Sequence, residues 1–367
     1  MSPVPSMMSA VMLTGHGGLE KLQYGADVPV PKPGADEVLI QVSAAGINNT
    51  DINTRLGWYS KSISEATNAG GVEGFEEISD EDASWSGTAL TFPRIQGADV
   101  TGRIVAVGSD VDPHRLGERV IVRTMLRHYV DRRPYESWTL GSECNGGFAQ
   151  YIAIASDETH AIDSDWTDEA LAAVPCAYST AENMLHRANV GAERVLITGA
   201  SGGVGLAAVQ LARRRGASVI GICAAAKAQA VRQAGADQIL DRSQHPVEVL
   251  GQRSVDVVLD FVGGDGVSNL LTTLKLGGRY VVAGAIGGPL TQVDLRTVYL
   301  KDLSLLGCTF QDDEVFTNLV QYIEHNEIAP LVSKTYALQD MRNAQQDFIA
   351  KKYPGKLVVI PPPVESR

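Results

Sequence analysis

The segment RVLITGASGGVG, Arg194 to Gly205, joins a short apolar run, Val195 to Ile197, to glycines at 199, 202, 203 and 205. The residues that follow, LAAVQLARRRGA, place Leu206, Val209, Leu211 and Ala212 at helical spacing. A strand that turns through glycines into a helix lets the backbone approach a pyrophosphate closely. It also offers the phosphates the unpaired N–H groups and positive dipole end of the helix. The pattern predicts a dinucleotide site built from Gly199, Ser201, Gly202, Gly203, Val204 and Gly205, with a plain strand-to-helix turn as the alternative.

The residues beyond the turn bear on which dinucleotide. A chain that grips an unmodified adenosine ribose carries Asp or Glu roughly 20 residues downstream. That place is SVIGICAAAK, Ser218 to Lys227, and no carboxylate occurs between Glu193 and Asp237. Ala224 lies in this run, Lys227 ends it, and Arg242 follows the next apolar run. Two cations without a carboxylate suit a 2′-phosphate, which a guanidinium can grip through two hydrogen bonds. The expected coenzyme is NADPH/NADP+; the other reading makes Lys227 and Arg242 solvated surface cations.

Around these residues, 367 residues suffice for about two domains of ~150 residues. Apolar content of 44% and charged content of 20% are ordinary for a globular chain. Thirty-one basic against 43 acidic residues leave a net charge of −12, which disfavours nucleic acid and anionic membranes as partners. No apolar run approaches the ~20 residues of a membrane span. The N-terminal MSPVPSMMSAVML lacks the basic and apolar regions of a secretory signal, so a cytoplasmic enzyme is expected. Cys144, Cys176, Cys223 and Cys308 are scattered without a CxxC pair, which suggests neither structural zinc nor a disulfide framework.

Up to about Asp157, short β-runs such as EVLIQVSAAGI, GRIVAVGSDV and FAQYIAIA alternate with Gly and Pro, the pattern of a barrel-like β domain. From Asp165 the chain alternates helix and strand: DEALAAVPCAYSTAENMLHRA, broken at Pro175, then VLIT, SVIGIC, VDVVLDFV, RYVVAGA and LSLLGCTF. Such alternation predicts a parallel, doubly wound sheet. EVFTNLVQYIEHNEI reads as a helix and the terminal GKLVVIP as a strand returning to the β domain. Val262, Gly263, Ala285 and Ile286 would stand at the carboxyl ends of the fourth and fifth strands, where small residues suit either a nicotinamide or plain packing. Residues 60–92 hold Glu65, Glu73, Glu76, Glu77, Asp80, Glu81 and Asp82 against Lys61 alone, without periodicity. They read as a long acidic loop, either a cap over a substrate pocket or a solvated excursion.

AAGINNTDINTRLGWY (Ala44–Tyr59), GADVTGRIVAVG (Gly97–Gly108), GGFAQYIAI, TGASGGVG, GGRYVVAGA and GKLVVIP together resemble the medium-chain dehydrogenase/reductase superfamily, over nearly the whole chain except the acidic insertion. The resemblance implies an α/β protein. A GroES-like β-barrel catalytic domain would span 1–163 and 309–367, with the insertion at 60–92, and a doubly wound Rossmann domain would span 164–308. Zinc-dependent members resemble this chain but carry Cys where Asn48 stands, His-Glu at Ala98 and Asp99, and a third ligand at Cys176. A catalytic zinc needs three protein ligands, and neither Ala98 nor a neutral Asn48 amide supplies one. The resemblance is therefore to the zinc-free quinone oxidoreductase and enone reductase branch, where Asn48 is followed by a DxxxRxGxY motif, here Asp51, Arg55, Gly57 and Tyr59. Cys176 reads as a buried apolar residue, a relict ligand position or a reactive thiol.

That branch implies hydride transfer to an enone, enal or quinone, since nothing obvious polarises an alcohol oxygen. Asn48 is expected to touch the nicotinamide ribose or orient the substrate. Tyr59 is expected to donate to the carbonyl oxygen or supply a proton, or merely to line the cleft edge. Asp51 and Arg55 are expected to pair as an i,i+4 couple. Thr180 and Lys356 join the coenzyme contacts, and related NADPH-dependent reductases carry Lys and Tyr at the positions of Lys227 and Arg242. The unprotected edge 303–310 implies a homodimer. Alternatives are an alcohol or aldehyde dehydrogenase of the same superfamily, or a non-catalytic, crystallin-like or regulatory NADPH-binding protein.

Overall fold

In the computed structural model, which describes residues 4–364, the chain divides into two units. The first takes the chain up to Ile63, then Ala69–Cys176 and everything from Val332; the second takes Ser64–Asn68 and Ala177–Leu331. The expected junctions at 163/164 and 308/309 thus fall too early, for local reasons at each end. The Arg119 guanidinium bonds Ser164 O (2.8 Å), Trp166 O (2.6 Å) and Asp168 Oδ1 (2.8 Å from Nε), which holds the following segment on the β-rich unit. At the other end, Asn183 Nδ2 donates to Phe310 O at 2.9 Å and Gln311 Nε2 to Ser179 Oγ at 3.0 Å. These bonds keep the Asp313–Glu324 helix with the second unit.

The first unit is organised on the Glu37–Gly46 strand, whose apolar residues are buried on both faces. One edge pairs antiparallel with Thr101–Val107. The other edge is shared: Glu37–Gln41 pairs with Tyr151–Ala155, and Ala45–Gly46 with the returning Lys356–Ile360 strand. Val38, Ile40, Ile104, Phe148, Ile152 and Val359 meet in its core. The last strand therefore delivers Lys356 beside the end of the first long strand, where Asn49–Leu56 begins as a helix.

The second unit holds a six-stranded sheet in the spatial order Gln238–Asp241, Ser218–Cys223, Arg194–Ile197, Val255–Asp260, Leu274–Val282, Ser304–Gly307. All neighbours are parallel. In chain order this is 3-2-1-4-5-6, the doubly wound arrangement, with its switch point between Arg194–Ile197 and Val255–Asp260. Pro175 does not interrupt a helix but opens one, Pro175–Arg187, where its missing N–H costs nothing. The edge run expected over 303–310 forms a strand only at Ser304–Gly307; after Cys308 N–H bonds Val282 O (3.0 Å) the chain leaves the sheet.

The acidic segment is more ordered than its composition suggests. Most of its carboxylates are exposed, whereas Ile63, Thr67, Ala83 and Ser84 are buried. Short helical turns form at Thr67–Gly70 and Asp80–Asp82. Arg55, fully buried, donates from Nη2 to Gly71 O (2.6 Å), from Nη1 to Gly17 O (2.5 Å) and from Nε to Gln345 Oε1 (2.9 Å). The expected Asp51–Arg55 couple is therefore wrong: Asp51 turns back to the start of its helix, and Arg55 is spent on three distant segments.

Candidate active site

Asn48 sits where extended chain becomes helix, and Asp51, three residues on, accepts its backbone N–H at 2.8 Å. This is half of a capping box and fixes the chain direction at Asn48. The second oxygen of Asp51 accepts the Gly97 N–H (3.1 Å), tying the helix start to the Gly97–Val100 segment. Burial, with Asp99 adding to it, raises the Asp51 carboxyl to about 7, against the pull of its N–H donors.

Asp99, absent from the expected site, is its centre. Its relative exposure is 0% and that of Lys356 is 3%. Asp99 Oδ1 accepts the Cys176 backbone N–H (2.6 Å); Oδ2 accepts from Asn48 Nδ2 (2.8 Å) and Lys356 Nζ (2.7 Å). Lys356 Nζ also donates to Asn48 Oδ1 (2.6 Å) and Ile47 O (3.0 Å). Lys356, expected on the coenzyme, has all three donors committed to this cluster. Gly46 makes room for it, because a Cβ there would collide with Asp99 Oδ2 and Ala172 O. Cys176 is half-buried rather than buried, and its backbone N–H bonds Asp99.

Tyr59 follows the helix, past a left-handed Gly57, and its hydroxyl donates to Thr50 Oγ1 at 3.1 Å. Burial raises its pKa, so the phenol holds its proton more tightly than usual. Trp85, from the acidic insertion, lies against the Tyr59 ring.

These residues do not fit a catalytic zinc. Ala98 has no donor atom, the Asn48 carboxamide is neutral and bonded at both ends, and an ammonium already neutralises Asp99. Among the described residues no group of three or more His, Cys, Asp or Glu is arranged to hold a metal ion.

The second unit carries the nucleotide elements. Gly199 has φ +56°, which favours glycine, and a Cβ at Gly205 would run into the Gly199 carbonyl, so the Gly203–Arg214 helix starts hard against the turn. Ser201 and the exposed Gly202 complete the turn, and Gly203 and Val204 form the half-buried helix start. Val262, Gly263, Ala285 and Ile286 do follow the fourth and fifth strands; Gly287 N–H bonds Val262 O at 2.8 Å. Asp260, also missed, fixes this end: it accepts from Thr198 Oγ1 (2.5 Å), Tyr280 OH (2.6 Å) and Val262 N (2.9 Å). Thr180 lies on the Pro175–Arg187 helix.

Lys227 and Arg242 come together. Arg242 N–H bonds Cys223 O and Lys227 N–H bonds Ala224 O, both at 2.9 Å. Burial and then the nearby Arg242 charge lower the pKa of Lys227. One carboxylate does approach, Asp241, at the end of the neighbouring strand. It is occupied by Ala225 N (2.8 Å), Ser243 N (2.9 Å) and Ser243 Oγ (2.6 Å). Chain-distance reasoning could not see it, because it comes from the next strand.

Two family profiles match this arrangement: the alcohol dehydrogenase GroES-like domain over residues 34–164 and the zinc-binding dehydrogenase domain over residues 203–325. The chain belongs to the medium-chain dehydrogenase/reductase superfamily, whose oxidoreductases bind a nicotinamide coenzyme. It is 27% identical to a quinone oxidoreductase of Rattus norvegicus, over 96% of this chain and 98% of that protein. It is equally 27% identical to an acryloyl-coenzyme A reductase of Sulfurisphaera tokodaii, over 96% and 100%. Among solved structures, a protein of Sinorhizobium meliloti provisionally named an alcohol dehydrogenase is 46% identical, covers 98% of each chain and superposes with a TM-score of 0.87. No helix among the described residues is long and apolar enough to cross a membrane.

Proposed function

We propose that the chain is a zinc-independent, NADPH-dependent reductase of an activated C=C bond, in an enone or enal, or of a quinone. The observation that carries this reading is the ammonium–carboxylate–amide cluster of Lys356, Asp99 and Asn48, in which no Lewis acid is offered to an alcohol oxygen. A conjugated acceptor needs none, because its carbonyl already polarises the carbon that receives hydride. A bound nicotinamide supplies that hydride. Asn48 orients the acceptor through its carboxamide N–H. Tyr59 O–H, released from Thr50, donates to the carbonyl oxygen as negative charge gathers there. Its raised pKa suits a hydrogen-bond donor better than a proton source, so water delivers the proton to carbon. Lys227 and Arg242 grip the 2′-phosphate and offset the nearby Asp241 carboxylate, which its bonds to Ser243 and Ala225 hold in the ionised form. The relatives named for quinone and acryloyl-CoA reduction support this chemistry.

A second reading, alcohol or aldehyde dehydrogenase, is favoured by the 46% identical Sinorhizobium protein. Both are tested by one experiment: coenzyme turnover over quinones, enones, enals and alcohols, with zinc measured on the same sample. NADPH-linked reduction without bound zinc is expected; alcohol oxidation at one zinc per chain would replace the first reading with the second.

The chain is also proposed to act as a homodimer. The outer edge of Ser304–Gly307 has no partner strand among the described residues, and Leu305 is 46% exposed. Leu295, Tyr299 and Leu300, just before it, are exposed too. Light scattering should give twice the 39.1 kDa chain mass, and Leu305→Lys should shift it toward monomer.

A further inference from the structure

We propose that the Lys356 ammonium is a built-in cation that takes the place of a divalent metal at this reaction centre and sets the orientation of the Asn48 carboxamide. This rests on the zinc-independent reading above and says what replaces the metal. Three observations carry it. First, the ammonium lies 2.6 Å from Asn48 Oδ1 and 2.7 Å from Asp99 Oδ2, and zinc-dependent members, by resemblance, carry Cys at position 48 and a His-Glu pair at positions 98 and 99. Second, Lys356 is directly paired with the fully buried Asp99 carboxylate, which loses that counter-charge when the ammonium is removed. Third, lysine only donates, so it can bond only the carbonyl end of the amide. That commits Asn48 Nδ2 to Asp99 and leaves its second N–H with only a long contact, 3.4 Å, to Gly46 O. The spare group of Asn48 is thereby a donor, whereas a flipped amide would turn an acceptor lone pair to the same place.

Lys356 is thus a positioning residue, acting through Asn48. Two measurements test it. Asn48→Cys and the double variant Asn48→Cys/Lys356→Met are dialysed against zinc chloride, and bound metal is counted. About one zinc per chain is expected in the double variant and none in the single one. Equal zinc content in the two, both empty or both loaded, overturns the proposal. This readout needs no substrate, so it fails independently of the assigned reaction.

In the otherwise unaltered enzyme, Lys356→Met should lower kcat roughly tenfold to a hundredfold with little change in KM for the coenzyme, and Lys356→Arg should recover part of the loss. An unchanged kcat with a raised coenzyme KM makes Lys356 a coenzyme ligand and overturns the positioning role. Where Lys356→Met does not fold, Asp99→Asn/Lys356→Met removes both charges together and is read the same way.

Discussion

The Trp85 ring meets the Tyr59 ring edge-on, with centroids 4.9 Å apart and planes at 73°. Trp85 is held from behind: its backbone N–H reaches Ser142 Oγ at 3.3 Å, and the backbone N–H of Ser86 reaches Glu143 Oε1 at 2.9 Å. The insertion therefore supplies an aromatic wall to the tyrosine proposed to bind the acceptor oxygen. Trp85→Ala should raise KM for planar acceptors several-fold, leave kcat nearly intact and cost about 1 kcal/mol of stability. Steady-state kinetics on a quinone and on a short enal separate these effects; equal KM shifts for both acceptors would remove Trp85 from selectivity.

Tyr59→Phe keeps the ring packing and deletes one donor. With water delivering the proton, kcat/KM should fall on the order of tenfold to a hundredfold rather than vanish. Undiminished kcat/KM would take Tyr59 out of the chemistry.

Asp51 makes stability depend on pH. The folded state holds the Asp51 proton up to about pH 7, while the unfolded chain, from the ordinary value of 3.8, releases it much earlier. Between these values the folded state binds more protons, so its stability falls as pH rises, by up to about 1.4 kcal/mol per pH unit from this group. Asp51→Asn lacks this component. Urea unfolding of both proteins from pH 4.5 to 8 should show the parent losing ground to the variant as pH rises. A constant difference between them would mean that Asp51 is ionised throughout.

Lys227→Ala and Arg242→Ala should each weaken NADPH binding about tenfold or more and leave NADH nearly unchanged. Calorimetric titration with both coenzymes checks this. Equal losses for the two would place the cations away from the 2′-phosphate.

What could be read in the sequence was what is contiguous. The glycine turn, the strand–helix alternation, the zinc-disfavouring identities at 48 and 98 and the acidic loop each lie within one short stretch. The rest depends on distant partners. Asp99 reads only as half of a position that zinc-dependent members fill with His-Glu until Lys356, brought home by the last strand, and Cys176 N–H close on it. Asp260 and Tyr280 become one network only because their strands are neighbours. Arg55 looked like a structural partner for Asp51 because a four-residue spacing is all that the sequence displays. Its true acceptors are carbonyls and an amide, which no residue-type pattern reveals.

Those acceptors have a further consequence. Arg55 binds residues 17, 71 and 345 in one knot. A deletion of the acidic segment would strip one strand from that knot and strand a guanidinium in the interior. Shortening the segment therefore requires another acceptor for Arg55 Nη2, whereas changes among its outward carboxylates leave the three Arg55 bonds untouched.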